Sequence, residues 1–161
     1  VSIASRNRAE YEVVRELSRK FGHVSAERVI SGQGLEQIYQ ALCHITDSPL
    51  EELGAADITR LAMEGDKLPR QSLDMMYSFL ATVASDLALT FGSKGGVYLA
   101  GGILPKLIDD FRQSQFICKF KDKGRFSDYL HSVPVILITE EYPAFVGLRE
   151  MLLGEGVFSG V

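Results

Sequence analysis

Leu99-Ala100-Gly101-Gly102-Ile103-Leu104-Pro105 sets a short apolar run, a glycine pair and a helix start in immediate succession. Without Cβ atoms at Gly101 and Gly102, a flat or charged ligand such as a nucleotide can approach the backbone, and the helix start that follows offers unpaired N–H groups to an anion. The same spacing suits a tight strand-to-helix turn that needs glycine only for positive φ, and taken alone it favours that plain turn. Glu27 lies within HVSAERVISGQG (23–34), just ahead of β-branched residues and a glycine turn. A carboxylate held at such an edge can accept hydrogen bonds from two sugar hydroxyls. The ordinary alternative pairs Glu27 with Arg28 or another surface cation. Ser31-Gly32-Gln33-Gly34 reads either as a phosphate-facing loop or as a helix-capping turn, with Ser31 the default cap.

The other residues of catalytic type do not assemble into a site by spacing. His23, His44 and His131 have no Cys, Asp or Glu partner placed to specify a metal centre or a Ser-His-Asp arrangement, so structural or surface histidines are expected. Asp109 and Asp110 are adjacent, which on a helix turns them about 100° apart and denies them a paired acid–base role. Both are expected to face solvent. Cys43 and Cys118 are the only cysteines; without a second pair or a nearby His they indicate neither zinc nor a disulfide framework, and both read as reduced core thiols. Lys119, Lys121, Lys123 and Arg125 make one basic cluster, interrupted by Asp122 and Gly124, which reads as a solvated loop.

The elements that must position these residues follow from periodicity. Tyr11, Val14, Leu17 and Phe21 predict an amphipathic helix over 9–21 with Gly22 as its stop. A short extended piece over 24–30, the glycine turn, and a second helix through Leu35, Ile38, Tyr39 and Leu42 come next. A polar connection over 46–54 leads to a short helix carrying Ile58, Leu61 and Ala62. Beyond Pro69, Leu73, Met76, Tyr77, Leu80, Val83, Ala84 and Leu87 mark one face of a long, mostly buried helix. Val97 to Ala100, bounded by glycine pairs, reads as a strand covered on both faces. Leu104, Leu107, Ile108 and Phe111 place a helix behind it with Pro105 at its first turn. Val133 to Thr139 and Pro143 to Leu153 repeat the strand-then-helix order, which argues α/β.

Composition bounds the rest. The chain has 161 residues, 46% hydrophobic and 24% charged, which suits one soluble globular domain over 1–161. A net charge of −4 leaves no cationic excess for a phosphate backbone or an anionic membrane. No stretch approaches the ~20 apolar residues of a spanning helix, and the start lacks the order of a secretory signal, so a cytoplasmic protein is expected.

Taken together, FGHVSAERVISGQGLEQIYQAL (21–42), DLALTFGSKGGVYLAGGILPKLID (86–109), FKDKGRFSDYLHSVPVILI (120–138) and YPAFVGLREML (142–152) resemble the bacterial glucokinase family, within the hexokinase and actin-like ATPase superfamily. The stretches fall in family order. The resemblance implies two lobes with ribonuclease-H-like α/β cores closing on glucose and ATP, of which this chain would supply a helix-rich, incomplete C-terminal portion of the larger lobe. It puts the glucose-contacting glutamate on Glu27, where the E-[RK]-[VM]-I-S-G pattern of eukaryotic hexokinases also aligns. It puts the superfamily's adenosine motif on Leu99 to Leu104, with Gly101 and Gly102 against the nucleotide. The nucleotide-binding candidates are then Gly101, Gly102, Ile103 and Leu104, with Gly32 and Gly34 from the capping turn.

The family's D-x-G-G-T phosphate loop, catalytic aspartate, second phosphate loop and E-G-G-H sugar segment would all precede Val1. No general base can be named in this chain, which is expected to be inactive alone while the whole enzyme phosphorylates glucose with ATP and Mg²⁺. Two places depart from the family. Ser93 and Lys94 stand where a Thr and an aromatic are usual, and Tyr142 and Ala144 flank Pro143 where Asn and Gly are usual. A non-catalytic sugar- or nucleotide-sensing regulator of the same fold is the alternative, and self-association or a homodimer through an exposed inter-lobe face stays open.

Overall fold

In a computed structural model describing residues 2–140 and 142–153, the chain opens with helix α1 (Arg8–Phe21). Of the single domain expected over 1–161, Val1, Glu141 and residues 154–161 lie outside the described part. Asn7 caps α1 by accepting from the Glu10 N–H at 2.9 Å, and Gly22 ends it at φ +71°. Leu17 is buried as the periodicity predicts, but the inward face is turned from the expected one: Val13 is buried while Tyr11 is exposed and Val14 and Phe21 are half-buried.

The extended piece expected over 24–30 is instead mostly helical. Helix α2 (Glu27–Ile30) forms one turn, with the Ala26 carbonyl accepting from the Val29 and Ile30 N–H groups at 3.0 and 3.1 Å. Burial of Val29 in the core outweighs the β preference of Val29 and Ile30. Strand character survives only at one antiparallel bridge between Ser25 and Ser2. Helix α3 (Gly32–Ile45) follows at once and starts three residues before Leu35. Ser31 caps it, its Oγ accepting from the Gly34 N–H at 3.0 Å. After α4 (Ala55–Glu64), closed by Gly65 at φ +96°, comes the organising element.

Helix α5 (Lys67–Thr90) runs through the centre, with Pro69 harmless in its first turn. Leu73, Tyr77 and Phe79 are fully buried on it. The buried hydroxyls of Ser72, Thr82 and Ser85 each bond a carbonyl of the preceding turn, so they do not offset the gain from apolar burial.

Strand β1 (Val97–Leu99) leads into a 3-10 turn over Leu104–Leu107, then α6 (Ile108–Gln113), α7 (Phe116–Lys121), a second 3-10 turn over Gly124–Phe126, α8 (Ser127–His131), β2 (Val135–Leu137) and α9 (Pro143–Leu153). The two strands are parallel, pairing Val97 with Val135 and Leu99 with Leu137. Both are shorter than expected, and β1 is not covered on both faces: Leu99 is buried while Tyr98 is 63% exposed. Tyr77, Phe111, Phe116 and Phe120 pack in series, edge-on, tilted and stacked in turn, with ring centroids 5.2, 4.8 and 6.1 Å apart, joining α5 to α6 and α7.

Three further expectations are corrected. The basic cluster is not a solvated loop. Lys119 lies on α7 and donates to Ser78 Oγ at 2.6 Å, while Lys123 pairs with Asp86 at 2.6 Å. Ser78 in turn donates to the buried Glu10 at 2.5 Å, a polar knot that ties α1 and α7 to α5. Cys43 is buried but Cys118 is exposed, because α7 spends its inward positions on Phe116 and Phe120. Asp109 is exposed as expected, but Asp110 is drawn inward and accepts from Arg70 at 2.7 Å and from the Tyr77 hydroxyl at 3.0 Å.

Candidate functional site

Two hollows meet at Ser31. The larger, about 490 Å³, has Gly101, Gly102, Ile103 and Leu104 on one wall, Ile30, Ser31 and Gly32 on the other, and Met76 and Leu80 of α5 beneath. The smaller, about 240 Å³, is lined by Ser25, Glu27, Arg28, Ser31, Gln33 and Gln37. Ser31 is the residue common to both, and Ile30-Ser31-Gly32 links the end of α2 to the start of α3 between them. The first hollow is mainly apolar with open backbone at the glycines; the second is polar and carries one carboxylate. A site with these two compartments can hold a flat apolar group beside a polyhydroxylated one.

Local structure explains each placement. Glu27 is the first residue of α2, exposed, and makes no ion pair among the described residues. The pairing with Arg28 does not form, since neighbours on a helix diverge; the Arg28 guanidinium instead lies 4.2 Å from the centre of the Phe21 ring. Gly101 sits at φ +144°, a backbone setting that L side chains rarely adopt, and a Cβ on Gly101 or Gly102 would meet nothing within 4 Å. The space in front of the pair is open. Leu104 is buried in the core cluster and also lines the hollow. The segment behind the glycines starts as a 3-10 turn in which the Lys106 N–H already bonds Ile103, leaving fewer free donors than an α-helix start would.

Gly34 departs from the expected set. It lines neither hollow. A Cβ there would stand 2.8 Å from the Arg28 carbonyl oxygen and 2.9 Å from the Val29 carbonyl carbon, so its glycine is required by the close approach of α2 to α3. Gly32 does line the larger hollow.

Sequence reasoning missed Met76 and Leu80 as the floor, and Ser25, Gln33 and Gln37 as walls. Gln37 carried a signal: it falls three residues after Gly34 and four before Ala41, both buried, so a polar side chain stands on an inward helix face. His23, His44 and His131 are all exposed, with His44 Nδ1 2.8 Å from Glu16. No group of three or more His, Cys, Asp or Glu among the described residues could hold a metal ion.

A glucokinase family model matches residues 1–154. The chain belongs to the glucokinase family. It is 45% identical over 153 residues to a glucokinase of Saccharophagus degradans, covering 94% of this chain and 48% of that protein. It is 47% identical over 146 residues to a glucokinase of Nitrobacter hamburgensis, covering 90% and 46%. Among solved structures, a glucokinase from an Antarctic psychrotroph superposes with a TM-score of 0.87 at 32% identity, covering 95% of this chain and 48% of that one. A glucokinase from Balamuthia mandrillaris, solved with glucose, shares the fold at a TM-score of 0.68 and 18% identity, covering 87% and 41%. The chain therefore spans about half the length of the family members it matches. No helix among the described residues is long and apolar enough to cross a membrane.

Proposed function

We propose that the protein to which this chain contributes one half transfers the γ-phosphoryl group of ATP to glucose, in the cytoplasm, and that this half is part of a ribonuclease-H-like lobe. The observation that carries the reading is the adjacency of the two hollows: Glu27 borders the polar one, Gly101 and Gly102 border the apolar one, and Ser31 lines both. In this scheme Glu27 accepts hydrogen bonds from two glucose hydroxyls and so fixes the sugar's orientation. Gly101, Gly102 and the Ile103 backbone admit the adenosine end of ATP, with Met76 and Leu80 as its apolar floor. Ser31 and Gly32 form the wall between donor and acceptor.

Glu27 is the one carboxylate in either hollow. An orienting role already occupies it, so the base that takes the proton from the attacking hydroxyl belongs to the half of the protein this chain does not span. Mg²⁺ would neutralise phosphate charge when bound with the nucleotide. The direct test is Glu27→Gln in a polypeptide of the relatives' full length. Replacing the charged acceptor with a neutral one costs about 1.5–3 kcal/mol of contact, so kcat/KM for glucose is expected to fall about ten- to a hundredfold. An unchanged value removes Glu27 from the sugar site.

A further inference from the structure

Among the described residues one buried side-chain polar atom has no hydrogen-bond partner: Oε1 of Gln37. The other buried polar side chains of the core, Glu10, Ser72, Ser78, Thr82 and Ser85, all have theirs. An orphaned carbonyl oxygen on an inward helix face is uncommon in a folded protein and asks for a purpose, because leucine or methionine would fill the same space without it. Gln37 is 7% exposed and borders two hollows, the polar one of about 240 Å³ it shares with Glu27 and a smaller one of about 100 Å³ toward α1. In the smaller the carboxylate of Glu16 already pairs with Arg19 and His44, so only the larger offers a carboxylate unpaired among the described residues. Gln37 approaches that larger hollow from α3 while Glu27 approaches from α2, and the two helices are held at a fixed spacing by the Gly34 contact and the Ser31 cap.

We propose that Gln37 is a sugar-contacting, specificity-determining residue: its amide turns into the shared hollow and Oε1 accepts a hydrogen bond from one hexose hydroxyl. This rests on reading that hollow as the sugar site. The terminal torsion of glutamine is broad, so the turn is an easy one, and the bound hydroxyl supplies the donor the oxygen lacks. Glu27 then holds two hydroxyls and Gln37 a third. A sugar that lacks or inverts the third leaves a buried acceptor unpaired, which is how a hydrogen-bonding pocket rejects a close analogue.

The test uses Gln37→Leu and the nearly isosteric, unbranched Gln37→Met in a polypeptide of full family length, assayed with glucose and the series of its single-deoxy analogues. KM for glucose is expected to rise about three- to tenfold, the worth of one neutral hydrogen bond, with kcat within about twofold. One deoxyglucose, missing the partner hydroxyl, is expected to have the same KM in wild type and variants, and the Tm of the variants to stay level or rise. An unchanged glucose KM in both variants while Glu27→Gln is impaired overturns the role of Gln37 alone. If Glu27→Gln is also unimpaired, the sugar reading of the hollow fails with it. A KM rise that is uniform across the deoxy series and accompanied by a lower Tm makes Gln37 structural and overturns the proposal.

Discussion

Replacing Gly34 by alanine adds one carbon where α2 and α3 cross. That carbon would stand 2.8 Å from the Arg28 oxygen and 2.9 Å from two carbonyl carbons, all of them backbone. Ordinary contact begins near 3.4 Å, so the helices must part by about 0.6 Å or tilt, and no side chain can yield instead. Overpacking of this kind costs about 1–3 kcal/mol. Against it stands the helix preference of alanine over glycine, about 1 kcal/mol. Since all three close contacts are with backbone, the upper part of the overpacking range, about 2–3 kcal/mol, applies, and the net expectation is a loss of about 1–2 kcal/mol, read as a lower urea midpoint at unchanged slope. Because Arg28 follows Glu27 on the displaced turn, KM for glucose should rise in the same variant when assayed at full family length. Gly32→Ala is the control: its Cβ would meet Ala55 and Ile103 at 3.7 and 3.9 Å, ordinary contacts, so its stability should hold or improve. A Gly34→Ala protein as stable as wild type would refute the claim that this glycine is kept for packing.

Two other outcomes follow from the geometry. Gly102→Val meets open space, so stability should stay within about 0.5 kcal/mol while KM for ATP rises about tenfold and KM for glucose does not move; an unaltered KM for ATP would take the glycine pair out of the nucleotide site. Burial, then the charge and hydrogen bond of Asp110, push the Tyr77 phenol well above its usual value, and burial with the Cys43 contact pushes Tyr39 up to about 12. The unfolded chain releases these protons first, near pH 10, so their contribution to stability is complete below about pH 10 and lost as pH rises toward the folded values. Urea unfolding at stepped alkaline pH should show that decline, less steep in Tyr77→Phe; equal slopes would refute it.

What could be read from the residues, and what could not, divides along physical lines. The long amphipathic runs of α1, α3 and α5 were legible because a dozen or more residues repeat one period. The glycine pair after β1 was legible because positive φ and an absent Cβ are local properties. The turn at α2 was misread because four residues hold no period, and the burial of Val29 that decides it comes from α3 and α5. Lys119 and Asp110 were assigned to solvent for the same reason: their partners, Ser78, Arg70 and Tyr77, lie 33–41 residues away in the chain. Glu27 could be nominated but its compartment could not, since Gln37 enters it from a different helix. Gly34 showed the reverse failure, a glycine of the right type whose surroundings give it a packing role.

The capping hydroxyl of Ser31 has a wider effect than ending one helix cleanly. Since a single peptide segment serves as the fence between two neighbouring rooms, neither can be enlarged at that fence without narrowing or skewing the other. Attempts to refit this protein for a bulkier hexose should leave Ser31, Gly32 and Gly34 alone and carve instead at Ser25 or Gln33, which line the polar compartment and not the apolar one.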